Sequence, residues 1–179
     1  MADAGSPGAV LRELVAEAVG VDGAALLEDA ALTERGDDPE PAARFPEVVA
    51  VGGTVVGVVP RAPPALARRL LGTGDASLEA VGDAGRDGET VRLVFTGRAA
   101  DRLAGPSGAV LRPVLADRGV EAYRHDGGSP VGVLLVDDRA VVGLFDERGL
   151  AALLWSDAPA VREWAAATCG RYLAAADPA

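Results

Sequence analysis

The 179-residue chain has no Lys, Asn, Gln or Ile, so all 17 of its basic side chains are Arg. Without Lys there is no phosphate-binding P-loop, whose Lys reaches the terminal phosphates, and no pyridoxal Schiff base. A phospholipase-D-type site, which needs His and Lys together, is excluded on the same ground. One Cys (Cys169) and one His (His125) cannot fill the ligand set of a zinc site or close a disulfide within the chain. A metal site built of carboxylates alone stays open. With only two Trp, two Tyr and three Phe, the core has to be built from Val, Leu and Ala. The stretch from Val48 to Pro60 is uncharged but broken by Gly52, Gly53 and Gly57, well short of the roughly 18 residues that span a membrane. The N-terminus lacks the basic and apolar regions of a signal peptide, which with the unpaired Cys169 places the protein in the cytoplasm with no membrane partner.

What is present is acid: 27 Asp and Glu give a net charge of −10. That balance repels phosphate backbones, and the Arg residues are scattered along the sequence, so no direct nucleic-acid binding is expected. An acidic surface stays hydrated in a salt-loaded cytoplasm, as in a halophile. Codon bias in a GC-rich genome explains the missing Lys, Ile and Asn equally well.

Val10, Leu11, Leu14, Val15 and Ala18 recur at helical spacing, with Pro7 ahead and Gly20 behind, which predicts a helix over 9–19. Residues 24–32 are ambiguous, 33–41 form a loop, and 45–50 a short helix. The β-branched run Thr54 to Val59 predicts a buried strand, followed by a helix from Pro63 to Leu71. Residues 72–89 read as a Gly- and Asp-rich loop with one short strand at 78–81. A strand over 91–96, a helix over 97–104, a helix over 109–117 interrupted or started near Pro113, and a strand over 119–124 follow. Strands over 131–136, 140–145 and 150–155 are joined by Asp- and Gly-containing turns and predict an antiparallel meander. The last helix starts from Ser156 or Asp157 as N-cap and runs to about Ala175. Together these predict an α/β fold with a mixed sheet sandwiched by helices. The division is an N-terminal helical arm at 1–23, one α/β domain at 24–176 and a tail at 177–179.

The segments "VRLVFTGRAADRLA", "GVEAYRHDGGSPVGVLLVDDRAVVGLFDERG" and "LLWSDAPAVREWAAATCGRYLAAA" resemble, in that order, the effector domain of archaeal regulators in the methanogenesis-regulatory-protein class. That family is especially common in halophilic archaea. Looser likeness extends upstream through "LLEDAALTERGDDPEP" and "VVGVVPRAPPALARRLL" to about residue 24. The resemblance implies a phospholipase-D-like half with a C-terminal antiparallel meander and closing helix. It also implies a domain that senses a signal and helps dimerise, usually behind a winged helix-turn-helix that binds DNA. No helix-turn-helix and wing with basic recognition residues is evident ahead of Thr54.

The carboxyl ends of the predicted strands bring four ligand-binding candidates to one sheet edge, where open α/β sheets hold ligands: Arg61, Thr96, Arg98 and His125. An Arg there could clamp an anionic metabolite through two hydrogen bonds. The alternative is a surface Arg paired with one of the many carboxylates, and a solvated loop His. Asp137–Asp138 and Asp146–Glu147 look like acid–base or cation pairs, but turn chemistry explains both. Ser107 in "AGPSGA" and the "GTGDAS" at 72–77 each lack the last Gly of the motifs they approach. Trp155 and Trp164 are core candidates. Cys169 is a small buried residue unless exposed beside a cation such as Arg171.

These readings favour a non-catalytic regulator domain that binds a small-molecule effector, or pairs as a homodimer or with a DNA-binding regulator. No cofactor, metal or catalytic residue is assigned. Two other readings stand beside it. One is a small carboxylate- and Arg-based enzyme using Asp75, Asp83 and Asp87; the other is a paralogue that only dimerises.

Overall fold

Ser6 opens the first helix by accepting the Ala9 amide on its Oγ at 3.2 Å, Pro7 takes the first turn, and Gly20 closes it at φ 82°, where a side chain would be strained. The computed structural model describes residues 5–49, 54–61 and 90–179. Their order is α1 (Pro7–Val19), α2 (Gly23–Glu28), β1 (Ala30–Glu34), α3 (Pro41–Val48), β2 (Val55–Val59), β3 (Val91–Phe95), α4 (Gly97–Ala104) and α5 (Pro106–Asp117). There follow β4 (Val120–Arg124), β5 (Val131–Val136), β6 (Arg139–Asp146), β7 (Gly149–Ser156), α6 (Pro159–Ala175) and the two-residue β8 (Asp177–Pro178). The helix expected after Pro63 and the loop and strand expected within 72–89 lie outside the described residues.

The strands make one sheet in the order β1-β7-β6-β5-β2-β3-β4-β8. β2, β3 and β4 are parallel and every other pair is antiparallel, including the expected β5–β6–β7 meander. The mixed α/β sandwich is therefore the observed architecture. Alternation along each strand divides the side chains between two faces. Val133, Val142 and Leu154 pack with Leu11 and Val15 of α1 and Val161, Ala165 and Cys169 of α6. Leu134, Val141 and Leu153 pack with Phe45 of α3, Ala99 and Leu103 of α4 and Leu115 of α5. The N-terminal helix thus shares the core of one face, and β8 pairs with β4 at the far edge.

Four local expectations are corrected. Residues 24–32, left ambiguous, split into α2, capped by the Asp22 carboxylate on the Ala25 amide at 2.8 Å, and the edge strand β1. The helix placed near Pro113 begins at Pro106 and runs through that proline. Gly108 lets it cross α4, because a Cβ there would lie 1.7 Å from the Leu103 carbonyl oxygen. The N-cap of α6 is Ala158; Ser156 is the last residue of β7, and its Oγ donates to the Asp29 carbonyl and accepts the Ala158 amide. Trp155 and Trp164 are half-buried at the margins of opposite clusters rather than at their centres.

Candidate functional site

β2, β3 and β4 end side by side, and their exits are stitched together. The Thr96 amide donates to the Val59 carbonyl at 3.1 Å, Ala99 to Pro60 at 3.2 Å, and His125 to Phe95 at 3.0 Å. The chain leaves β2 toward β3 on one side and returns at β5 on the other, so the carboxyl end of β2 is a switch point of the kind where open sheets bind ligands.

The four candidates from the sequence do not share one pocket. Arg61 lies on the α3 face and donates from one terminal nitrogen to the Asp146 carbonyl at 2.6 Å. Thr96 is fully buried, with its hydroxyl lacking a hydrogen-bond partner among the described residues. Arg98 is exposed on α4 and enters no ion pair among the described residues. His125 belongs to the other side: its ring packs on Tyr172 of α6 at 5.0 Å, and its Nδ1 accepts the Gly127 amide at 2.9 Å.

Beside Arg61 the α3 face opens into a shallow cleft with about 20 Å³ of space, room for about one water. Its floor is made by what β5 and β6 lack. Gly132 and Gly143 are direct partners across those strands, and a Cβ on either would press on Phe145, at 3.1 Å and 3.4 Å respectively. Phe45, Pro60, Phe145 and Leu150 form the walls. One strand over, Gly57 is covered by Leu134, whose Cδ2 would lie 2.1 Å from an added Cβ, so that position is filled.

The rim is an ion pair with no signal in the sequence. Arg35, just after β1, grips Asp146 with both terminal nitrogens at 2.6 and 3.0 Å. The Arg35 hydrogen bond, more than the Arg148 amide or the nearby charges, lowers the Asp146 pKa from 3.8 to about 2 despite partial desolvation. Asp146 also accepts the Arg148 amide at 2.8 Å, so it organises the β6–β7 turn from both sides. The second suspected carboxylate pair is likewise engaged. Asp137 accepts the Thr54 amide at 3.1 Å, and Asp138 pairs with Arg162 at 3.3 Å. Asp75, Asp83, Asp87 and the "GTGDAS" segment lie outside the described residues. Among the described residues no group of three or more His, Cys, Asp and Glu could hold a metal ion. Cys169 is buried against β2 and β5, donating to the Val56 and Val133 carbonyls at 3.8 Å, and burial pushes its thiol up to about 12. No helix among the described residues is long and apolar enough to cross a membrane.

Residues 74–175 match the family model described as methanogenesis regulatory protein FilR1, middle domain. No curated protein matches the chain. Of solved structures, TrmBL2, an archaeal chromatin protein whose structure is described as showing a novel mode of DNA binding, superposes with a TM-score of 0.56 at 12% identity. The alignment covers 95% of this chain and 60% of TrmBL2, so the chain spans less than two thirds of that protein. A phospholipase D family member, Nuc from Salmonella typhimurium, superposes with a TM-score of 0.58 at 12% identity, covering 84% of this chain and 97% of Nuc. At these identities the likeness is one of fold. The expectation of no direct nucleic-acid contact is corrected by the first comparison, since the fold occurs in a DNA-binding protein. Net charge was too coarse a measure. Residues 97–118, spanning α4 and α5, carry Arg98, Arg102, Arg112 and Arg118 against only Asp101 and Asp117.

Proposed function

Since this chain belongs to the family of the methanogenesis regulatory protein FilR1 middle domain, we propose that it is the effector domain of a transcription regulator and takes up a small molecule in the cleft at the carboxyl end of β2. The observation that carries this is the pairing of Gly132 with Gly143, which leaves an opening in a face that is otherwise filled with side chains. Small-molecule sites are concave and mostly apolar, as this shallow opening is, and uptake of anything larger than water would move Phe145 aside. Occupancy would be felt at the β6–β7 turn, because Phe145 walls the cleft and the next residue, Asp146, is held by Arg35 and Arg61. The test is thermal stabilisation of the 179-residue chain by a panel of organic acids, amino acids, sugars and nucleosides. At least one class should raise Tm in the wild type and lose its effect in Gly143→Leu, which fills the floor. A panel without effect on the wild type would sink the reading.

A second reading is favoured by the cations on α4 and by the DNA binding of TrmBL2. Arg98 and Arg102 are exposed one turn apart and form no ion pair among the described residues, so they can meet phosphate. Fluorescence anisotropy with a labelled duplex should show binding that weakens with salt and is lost in Arg98→Glu/Arg102→Glu. Binding that ignores both the salt and the double variant would refute it.

A further inference from the structure

We propose that the chain associates head to tail with a second copy of itself, the acidic α1–α2 surface of one copy docking on the Arg-bearing α5 surface of the next. This goes beyond the effector reading and needs nothing from the cleft.

Single apolar side chains on a surface are ordinary, so what matters is where these ones fall. Among the described residues the large hydrophobics left exposed are Val10, Val21 and Leu27, at 37–45%, and Val110, at 69%. The first three belong to α1, the segment behind it and α2, and the fourth stands on α5. Around the first group, residues 7–29 carry Glu13, Glu17, Asp22, Glu28 and Asp29 against Arg12 alone, and Arg12 is paired with Glu13. Around Val110, α4 and α5 with Arg118 carry four Arg against two Asp, and none of these Arg enters an ion pair among the described residues. Each surface thus offers apolar area to be covered and free charge mainly of one sign, and the two signs are opposite.

Position decides the form of the contact. α1 and α2 cover the face shared with α6, beside β1, β6 and β7, whereas α5 covers the opposite face beside β4. β1 and β4 stand six strand spacings apart in the sheet order, at about 4.8 Å each. Surfaces that face away from one another cannot both meet the same partner. Each docked pair therefore leaves one surface of each sign free, and the association stays open-ended. The net charge of −10 opposes approach at a distance. Once two copies touch, charges farther off than the Debye length of about 10 Å at 0.1 M are screened, and the local signs decide. A phosphate backbone would neutralise the Arg but leave Val110 in water, which favours a protein partner on α5.

The test is sedimentation velocity of the 179-residue chain across a concentration series, at about 0.1 M and about 1 M NaCl, where the Debye length falls from about 10 to about 3 Å. At the lower salt the weight-average mass is expected to climb past that of a dimer with concentration, and at the higher salt to fall toward the monomer. Val110→Glu and Leu27→Arg, each at an exposed position, should alone weaken self-association at least about tenfold. Mixed, they should form a one-to-one dimer and stop there, since the acidic surface of the first variant and the Arg surface of the second remain intact. A melt of each variant by circular dichroism shows that it is folded. A monomer at every concentration overturns the proposal. So does a wild-type dimer that stops at two and ignores Leu27→Arg, which is a symmetric contact through α5. Association untouched by both variants places the contact elsewhere and overturns it too. Association that appears only with an added DNA duplex also overturns it and returns the α5 Arg to phosphate.

Discussion

On the face of the sheet covered by α1, α2 and α6, Val58, Val133, Val142 and Leu154 are wholly buried, and the one thiol of the chain is sealed among them. On the opposite face, under α3, three adjacent strands carry glycine. At Gly57 the space is taken by Leu134, while at Gly132 and Gly143 it is left to Phe145 and the cleft. One sheet thus carries a face that is packed for stability and a face with an opening in it. The difference arises from side-chain volume at a few register positions, with the backbone pairing continuous beneath both.

Two of the perturbed titratable groups among the described residues, Cys169 and Asp146, show the same contrast. Cys169 is shifted up to about 12 from 9.0 by burial on the filled face. A thiol must ionise to react, so alkylation by iodoacetamide at mildly alkaline pH should be slowed about a thousandfold in the folded chain and restored in urea. Fast labelling of the native protein would show that this face opens. The linkage has a definite sign: because the folded pKa is raised, stability drawn from the buried thiol is present below about 9 and is lost as pH rises toward 12.

Truncation on the filled face comes next in size. Leu154→Ala removes a fully buried side chain and is expected to cost about 2–5 kcal/mol in urea unfolding. Phe145→Ala, at a half-exposed wall of the cleft, should cost less despite its larger ring. Equal costs would mean that the two faces are packed alike.

Within the open face, glycine replacements separate filled space from free space. A Cβ at Gly57 would collide with Leu134 and lie 3.0 Å from the Val133 carbonyl oxygen, which cannot retreat. Gly57→Ala should therefore destabilise by about 1–3 kcal/mol. At Gly132 the first contact is the edge of Phe145 at 3.1 Å, beside a cleft into which the ring can yield. Gly132→Ala is expected to change stability by less than about 1 kcal/mol, the strain being offset by the lost backbone entropy of glycine. A larger loss at Gly132 than at Gly57, read from urea midpoints, would overturn this description of the cleft.

The fold was legible where local pattern decides it. The run Val55–Val59 ending at Pro60 and the three strands around short acidic turns could be read from the sequence, as could Arg61 at the end of its strand. β1 could not, because Ala30–Glu34 has little strand propensity and owes its conformation to β7, about 120 residues away. The cleft was invisible for a related reason. A glycine within a strand reads only as a weak point, and the three-residue link read at 137–139 would set Gly132 opposite Leu144, whereas the observed two-residue turn sets it opposite Gly143. The sequence placed His125 at the carboxyl edge of the sheet but named no face for it, since the edge follows from strand order while the face is set by its packing on Tyr172. Arg35 and Asp146 are 111 residues apart, and each reads as an ordinary turn residue.

That last pair gives the smallest and most specific effect. On the open face Asp146 is perturbed by a hydrogen bond with Arg35, in the direction opposite to the buried thiol, from 3.8 down to about 2. With a depressed folded pKa, its contribution to stability is complete above about 4 and is lost as pH falls through about 2. The difference in urea midpoint between the wild type and Arg35→Gln should therefore be constant near neutral pH, shrink below about 4 and nearly vanish by about 2. A difference that persists in acid would assign the role of Arg35 to its contact with the Leu150 carbonyl at 3.5 Å and to packing on the turn. A difference that follows the Asp146 titration ties the rim of the cleft to the charge of one carboxylate.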